Sequence, residues 1–437
     1  MCTNFAWCAG MMACHACTDC INTSFKQQVR LGYFVFDGVF VALGILILYG
    51  LSGILSEIGF IADIIGKYVQ CEPGQGIDSC LGVSSIYRLS LALAAMHILI
   101  LLMLLLRNGC SKVFNEQVWP FKIFLIIGVF IACFFIKNDS FKLYSSIATV
   151  AGGIFLLFQI IMLIDLFYKW GVNWVKNYDE GGNGWMYLLI ITTIILYGGA
   201  IYFIVNSFRN FSGVGIGSFA SVVNVIFVVV SAILVMVRLN QEASLLTAAA
   251  FALITSFLTW SGLSNMDDDQ NPLKNSSSAT IINLVVGLIF VIVSLIYVSL
   301  GDSEDTSGQM QAGGVNLPQA VLAEQKNEDD EKRQRLEDEE EAGIVRKDAK
   351  EMKKELSLNI YQTNSFIYFH LILLFASCYV AMLLTNWGSP VLNGKQFQGF
   401  QAGDRSMWMK LGTSWAATVL YIWTLIAPAL CPNRDFS

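Results

Sequence analysis

Long apolar runs alternate with short polar stretches along almost the whole chain, and these runs lead to the first structural prediction. A helix needs about 20 mostly apolar residues to cross roughly 30 Å of hydrocarbon. Ten runs come close to this length, so we expect a membrane-spanning helix over each of 33–51, 86–106, 120–136, 145–167, 185–207, 214–237, 243–263, 279–300, 364–384 and 410–430.

The runs are continuously apolar, as in LALAAMHILILLMLLL, whereas transmembrane β-strands alternate apolar and polar positions. In lipid, a spanning segment must satisfy its own backbone hydrogen bonds, and a helix does so. We therefore predict an all-α fold, a polytopic membrane protein of about ten transmembrane helices. No internal repeat is evident, so an inverted-repeat transporter architecture has no support.

The spacing of the runs predicts four parts of the chain. A cysteine-rich segment, 1–32, precedes the first helix, and residues 33–300 hold the first eight helices. The longest early connection is predicted as a lumenal loop at 52–85. A charged cytosolic loop, 301–363, precedes the last two helices and a short tail in 364–437.

Charge is scarce and unevenly distributed over the 437 residues. Only 14% are charged and 55% are hydrophobic, whereas soluble proteins have about a quarter charged. Residues 302–356 carry 16 acidic and 9 basic side chains, which accounts for the net charge of the whole chain. This composition excludes a secreted disulfide scaffold, a nucleic-acid binder and an ordinary cytosolic enzyme. The 302–356 segment suits a solvated linker or a docking site for cytosolic partners.

Three features predict the orientation of the chain. Ten spans place both termini on one side, where 17 basic residues lie against 7 opposite, so we expect cytosolic termini. Without the charged loop the counts are 8 and 7, so this rule alone decides little. Asn138, Asn210 and Asn275 begin sequons on the predicted lumenal side, and Asn275 is the best glycosylation candidate. Cys71 and Cys80 share the lumenal loop, where a disulfide is possible.

Five cysteines crowd the N-terminal segment, three of them in the pattern Cys14-His15-x-Cys17-x-x-Cys20. Four soft ligands at this spacing are compatible with zinc, but structural zinc sites usually pair two such clusters and no second one exists. Cysteines beside a first span are more often acylated, so Cys14, Cys17 and Cys20 are acylation candidates. A segment with no special role is the remaining alternative, and we predict no metal site.

Polar or small residues form stripes at helical spacing in the runs 145–167, 214–237 and 243–263. Such stripes serve helix packing, since small residues let backbones approach and polar side chains bond across the contact. Alternatively, Gln159 and Asn224 line a polar groove that accepts lipid headgroups. The sequence leaves both interpretations open.

Arg88 opens its span directly after Tyr87, a position suited to a lipid phosphate but also typical of ordinary snorkelling. Lys122 and Asp165 are expected near cytosolic span ends, where they can pair, and His97 is expected to bond a neighbouring helix. Seven residues are thus lipid-binding candidates: Tyr87, Arg88, Gln159, Asp165, Asn224, Thr259 and Trp260.

Motifs for catalysis are absent from the chain. There is no HExxH, no glycine-rich phosphate loop and no G-x-S-x-G elbow, and the three histidines lie far from any candidate nucleophile in sequence. We therefore predict no catalytic residues, no cofactor and no enzymatic activity.

Several stretches resemble the serine incorporator family of eukaryotic membrane proteins, in the same order along the whole chain. Besides the cysteine-rich start they are SIYRLSLALA at 85–94, WPFKIFLIIGVFIACFFI at 119–136, FQIIMLIDLFYKWGVNWVKN at 158–177, LTWSGLSN at 258–265 and LYIWTLIAPALCPNRDFS at 420–437. The chain departs from the family after LTWSGLSN, where it continues MDDDQNP, and in the 302–356 loop.

The resemblance implies two subdomains divided by a long tilted helix at about 145–170, and lipid-facing grooves for phospholipids or sphingolipids. It implies possible homo-oligomers, a plasma membrane or endomembrane (Golgi or ER) location, and two activities. One is help in incorporating serine into phosphatidylserine and sphingolipids, with lipid-synthesis enzymes as partners. The other, ATP-independent phospholipid scrambling between leaflets, matches a polar groove without a catalytic base better. A structural subunit of a membrane complex is a further alternative.

Overall fold

A computed structural model describes residues 25–70, 77–106, 109–213, 215–238, 240, 243–266, 271–273, 276–301, 346–388, 392–393, 396–397 and 403–430. These residues are almost entirely helical. The helices are α1 Phe25–Leu46, α2 Ser52–Glu57, α3 Gly59–Ile64, α4 Ile77–Leu105, α5 Gly109–Glu116, α6 Trp119–Cys133, α7 Phe141–Asp179, α8 Asn183–Phe211, α9 Gly215–Met236, α10 Leu245–Ser264, α11 Ser277–Leu300, α12 Arg346–Leu384 and α13 Asp404–Leu430.

Shorter elements connect some of these helices. π-helical turns at Ile47–Leu51 and Ile65–Val69 follow α1 and α3, and a 3₁₀ turn at Asn138–Ser140 precedes α7. Two short strands, β1 Leu392–Asn393 and β2 Gln396–Phe397, pair antiparallel before α13.

Within the described residues, nine helices are long and apolar enough to cross a membrane. They match nine of the ten predicted runs, so the all-α polytopic fold is confirmed. The run at 120–136 corresponds to α6, which has 15 residues and ends at Cys133. The chain turns after this residue, and the side chain of Arg88 donates hydrogen bonds to the backbone carbonyls of Cys133 and Ile136 in the turn.

Several helices extend beyond the predicted runs, because an apolar run marks the part of a helix that suits hydrocarbon and not the ends of the helix. The predicted loop 52–85 contains α2, α3 and the first turns of α4. Helix α12 begins at Arg346, inside the predicted loop 301–363, and α7 extends over 39 residues instead of 145–167. At 1.5 Å per residue α7 is about 58 Å long, nearly twice the hydrocarbon thickness.

The chain forms two compact units. The first comprises Met1–Val35, Ala94–Leu125 and Val298–Leu374, and the second comprises Phe36–Leu93, Ile126–Tyr297 and Phe375–Ser437. The long helix α7 belongs to the second unit.

Helix α10 is the core of the second unit, where it packs against α7, α8, α9 and α13. Of its 20 residues 18 are buried, among them four alanines, Ala248, Ala249, Ala250 and Ala252. The outer faces of α8 and α9 expose large apolar side chains such as Ile194 and Ile226, as expected for lipid contact.

Candidate functional site

Polar side chains join α10 to α13 at three successive levels of the second unit. Lys410 Nζ lies 2.7 Å from Ser261 Oγ, and Asn265 Nδ2 donates to Ser406 Oγ at 2.8 Å. About one turn farther along α13 than Lys410, Ser414 Oγ donates to the carbonyl of Thr255 at 3.4 Å. The order of these contacts shows that the two helices run antiparallel.

Close approach of α10 and α13 depends on Gly262. A Cβ atom at this position would lie 3.3 Å from the carbonyl oxygen of Met407 and 3.4 Å from Cβ of Lys410. A larger residue would push the helices apart and lengthen the hydrogen bonds on either side of it.

The same helix bonds to α9 and α11. Asn224 Nδ2 donates to Ser256 Oγ, and Asn283 Nδ2 donates to Ser264 Oγ, both at 3.0 Å. We call the whole set the polar seam, namely Thr255, Ser256, Thr259, Ser261, Ser264 and Asn265 of α10 with Asn224, Asn283, Ser406, Lys410 and Ser414 of its neighbours.

Two candidates from the sequence, Thr259 and Trp260, have polar atoms available on α10. Both residues are buried, and within the described part of the chain neither Thr259 Oγ1 nor Trp260 Nε1 has a hydrogen-bond partner. The indole ring packs between Phe203 and Phe257. A buried donor without a partner costs about 1–3 kcal/mol, so these two atoms are candidates for contact with a polar ligand.

Two other candidates, Gln159 and Asp165, link α7 to α11. Gln159 is buried, and its Nε2 lies 3.5 Å from Ser294 Oγ. Asp165 accepts a hydrogen bond from the hydroxyl of Tyr297 and pairs with Lys169 at 3.2 Å. These partners of Asp165 lie one turn away on the same helix and on α11, and its predicted pairing with Lys122 stays a prediction.

Arg88 is fully buried and bonds to protein oxygens. Its Nε and Nη2 donate to the carbonyls of Cys133 and Ile136, and its Nη1 donates to Asn138 Oδ1 and the carbonyl of Ser84. Four of the five guanidinium N–H groups are used, so no pair remains for bidentate binding of a phosphate. The adjacent Tyr87 donates its hydroxyl proton to the carbonyl of Gly388. Both side chains connect elements of the second unit.

Several sequence candidates lie outside the described residues: Cys14, Cys17, Cys20, Cys71 and Asn275. Acylation, the Cys71–Cys80 disulfide and the glycan at Asn275 therefore stay predictions, although Cys80 is buried. The sequon at Asn138 is a different case. Asn138 is buried and its Nδ2 donates to the carbonyl of Val69 at 2.7 Å, so the folded chain offers no room for a glycan there.

The structure thus places Asn224 of α9 against α10, the helix that carries Thr259 and Trp260, whereas the other candidates join different elements. Sequence analysis missed Lys410 as a buried group because it stands at the edge of the run 410–430. A signal was present, because Ser406, Lys410, Ser414 and Thr418 recur every four residues and form one polar face of α13.

The first unit has a polar cluster of its own, centred on Asn115. The carbonyl of Asn115 accepts hydrogen bonds from Tyr33 Oη at 2.7 Å and from Lys122 Nζ at 2.8 Å. Its Oδ1 lies 2.8 Å from His370 Nε2, and the Nδ1 atoms of His97 and His370 are 3.2 Å apart. His97 therefore bonds a neighbouring helix, as expected from the sequence.

Aromatic rings surround the ammonium group of Lys122. It lies 4.3 Å from the ring centroid of Trp119 and 4.7 Å from that of Tyr33. A cation on aromatic faces is stabilised by the ring quadrupoles, by about 2 kcal/mol or more when desolvated. The cluster thus holds a buried lysine in place between α1, α5 and α6.

Comparison with known proteins gives a consistent result. A family model described as "Serine incorporator (Serinc)" matches residues 6–434. A "Probable serine incorporator" of Nematostella vectensis is 29% identical over 98% of this chain and 94% of its own length. "Serine incorporator 2" and "Serine incorporator 3" of Bos taurus are each 28% identical, over 96% and 98% of this chain and 93% and 96% of their own lengths.

Proposed function

Because this chain belongs to the serine incorporator family, we propose that it lets phospholipids pass between the two leaflets of its membrane without ATP. The observation that supports this most directly is the polar seam on α10. Lipid exchange needs a path along which a headgroup avoids hydrocarbon while the acyl chains stay in the bilayer. No catalytic base is needed for such a passage.

The polar seam covers about half of the depth of a bilayer. Thr255 and Asn265 just past the end of α10 are 10 positions apart, or about 15 Å along the axis. A headgroup must cross roughly 30 Å of hydrocarbon in all.

In the structure the seam is closed, since most of its polar groups bond across helix contacts. Hydrogen bonds between transmembrane helices contribute on average about 0.6 kcal/mol each, so a passing headgroup can exchange them at low cost. The unpartnered atoms of Thr259 and Trp260 offer additional polar contacts part-way along the helix. The flanking helices expose apolar side chains such as Phe219 and Val419, against which acyl chains can lie.

A test of this proposal is lipid exchange in vesicles that contain the purified protein. Dithionite quenches fluorescent lipids in the outer leaflet, and we expect the protein to carry inner-leaflet lipids to the outer leaflet, where they are quenched as well. Quenching that stops at the outer-leaflet fraction, as in protein-free vesicles, would refute the proposal.

Locking the seam tests the path itself. Asn265→Cys together with Ser406→Cys places two thiols across α10 and α13, and joining them with a short cross-linker is expected to slow exchange until the link is reduced. The matched control joins α8 to α10 through Gly199→Cys and Leu253→Cys, at an apolar contact. Both double variants keep the native cysteines. Equal slowing of lipid exchange by the two cross-links would argue against the polar seam as the path.

The names of the relatives favour a second candidate function, help in incorporating serine into lipids. We propose it as an accessory role with lipid-synthesis enzymes as partners. Cells lacking the protein should then incorporate less labelled serine into phosphatidylserine and sphingolipids, and unchanged incorporation would remove this candidate.

A further inference from the structure

A small cavity of about 10 Å³ lies in the second unit, next to the polar seam. Its polar lining consists of Tyr49, Thr280, Asn283, Asn386, Trp387 and Lys410, and three leucines complete it. A volume of this size accommodates one water-sized group, which is also the size of a single oxygen atom of a phosphate or carboxylate.

Lys410 is the charged group of this cavity. Its side chain is 4% exposed, and its Nζ has hydrogen-bond contacts to one residue, Ser261, through Oγ at 2.7 Å and the carbonyl at 3.5 Å. Among the residues that the structure describes, no acidic side chain forms an ion pair with it. An ionisable side chain inside a membrane usually serves a pathway or a ligand, because burying it without a counter-ion is costly.

Two residues that line this cavity each carry a buried polar atom without a partner. Trp387 Nε1 and Asn283 Oδ1 have no hydrogen bond to any residue that the structure describes, and both residues are at most 5% exposed. The amide of Asn283 is oriented by its other end, since Nδ2 donates to Ser264 Oγ at 3.0 Å.

The backbone at the end of α12 holds the indole of Trp387 in this position. Asn386 and Trp387 have φ angles of 49° and 60°, a left-handed conformation that residues with side chains rarely adopt. The turn is maintained by the N–H of Trp387, which donates to the carbonyl of Met382 at 2.6 Å. Strained backbone of this kind is often found at ligand sites.

We propose that this cavity binds one oxygen of an oxyanion, received by the ammonium of Lys410 and the indole N–H of Trp387. Asn283 Oδ1 then accepts a hydrogen bond from an ammonium or hydroxyl group of the same ligand. The chemical class is a phosphate or carboxylate with a neighbouring donor, and its source is a phospholipid headgroup. This choice of source rests on the proposed function, whereas the site itself does not.

Equilibrium binding to the purified full-length chain in detergent tests the site separately from transport. The probes are dioctanoyl phosphatidylserine, dioctanoylglycerol as the same amphiphile without an oxyanion, inorganic phosphate and L-serine. We expect phosphatidylserine to bind and dioctanoylglycerol to bind at least 10-fold more weakly. Binding of phosphate or L-serine in preference to the lipid would assign the site to a free anion and overturn the lipid source.

Lys410→Met is expected to weaken phosphatidylserine binding at least 10-fold, while Lys142→Gln, which removes an exposed lysine, should leave it unchanged. The empty Lys410→Met protein should melt at the same temperature as the wild type or higher, because an uncompensated buried charge is gone. Unchanged affinity, or lost affinity together with a lower melting temperature, would overturn the proposal.

Trp387→Phe is a second variant, which decides the matter even if Lys410→Met does not fold. It keeps the ring and removes the unpartnered N–H, so affinity should fall severalfold without loss of stability. Unchanged affinity would overturn the proposal. If the wild type binds phosphatidylserine but does not exchange lipids, the site is supported and the proposed function is refuted. If the wild type exchanges lipids but binds none of the probes, the site is refuted and the proposed function is supported.

Discussion

Arg88 and Asn138 are joined by a hydrogen bond of 2.9 Å between Nη1 and Oδ1, fully inside the second unit. The guanidinium also lies 4.6 Å from the ring centroid of Phe141. Together with the bonds of Arg88 to three backbone carbonyls, this contact ties α4 to the end of α6 and the start of α7. Arg88, which the sequence suggests as a contact for a lipid phosphate, is thus hydrogen-bonded to groups of the protein itself.

Arg88→Met is therefore expected to lower the free energy of unfolding by at least about 2–3 kcal/mol, because several buried oxygens lose their donor. Arg88→Lys should recover only part of this loss, since an ammonium cannot reach the same spread of acceptors. Thermal unfolding in detergent measures the effect, with Lys137→Gln as an exposed control. Equal melting temperatures for all variants would contradict this account.

Glycosylation should distinguish two sequons. Removing the sequon of Asn275 with Ser277→Ala is expected to abolish a glycosidase-sensitive shift in gel mobility if Asn275 carries the glycan. Ser140→Ala removes the sequon of buried Asn138 without changing its contacts, and the shift should persist. A glycan attached at Asn138 would be incompatible with its position against Arg88.

Tyr33 provides a test of the cluster in the first unit. Tyr33→Phe removes the hydrogen bond to the Asn115 carbonyl and keeps the ring beside Lys122, so it should cost about 0.5–1.5 kcal/mol. Tyr33→Ala removes the ring as well and is expected to cost about 3–5 kcal/mol, the range for emptying an aromatic position in a core. A Phe variant as unstable as the Ala variant would show that the hydroxyl, and not the ring, maintains the cluster.

Replacing either of two glycines with alanine should change the stability of the protein in opposite directions. A Cβ atom at Gly217 would lie 2.5 Å from the carbonyl oxygen of Phe211, so Gly217→Ala must shift the turn between α8 and α9 and lower stability. Gly198 has no heavy atom within 4 Å of the same position, and Gly198→Ala should be neutral or stabilising by up to about 1 kcal/mol. An equal decrease in the melting temperatures of the two variants would contradict this expectation.

The candidate site was only partly predictable. Asn224 and Thr259 could be named because an amide or hydroxyl in an apolar run stands out, and both do lie on α10 or against it. Lys410 was missed, although its four-residue polar repeat was readable, because a lysine at the edge of a run looks like an ordinary flank. Arg88 was interpreted as a lipid contact because no local pattern shows that three of its four acceptors lie 45 to 50 residues away.

The sequence by itself determined that this is an all-α chain that crosses the membrane many times, and which family it resembles. Each apolar run must span the hydrocarbon thickness by itself, so the number of residues in the run is enough to predict a membrane-spanning helix. The tertiary structure decided which polar groups form hydrogen bonds within the protein and which buried polar groups lack a partner. Partners such as Lys410 and Ser261 are 149 residues apart and meet only because small residues let α10 and α13 pack closely. Such contacts depend on the packing of whole helices, and no single run contains that information.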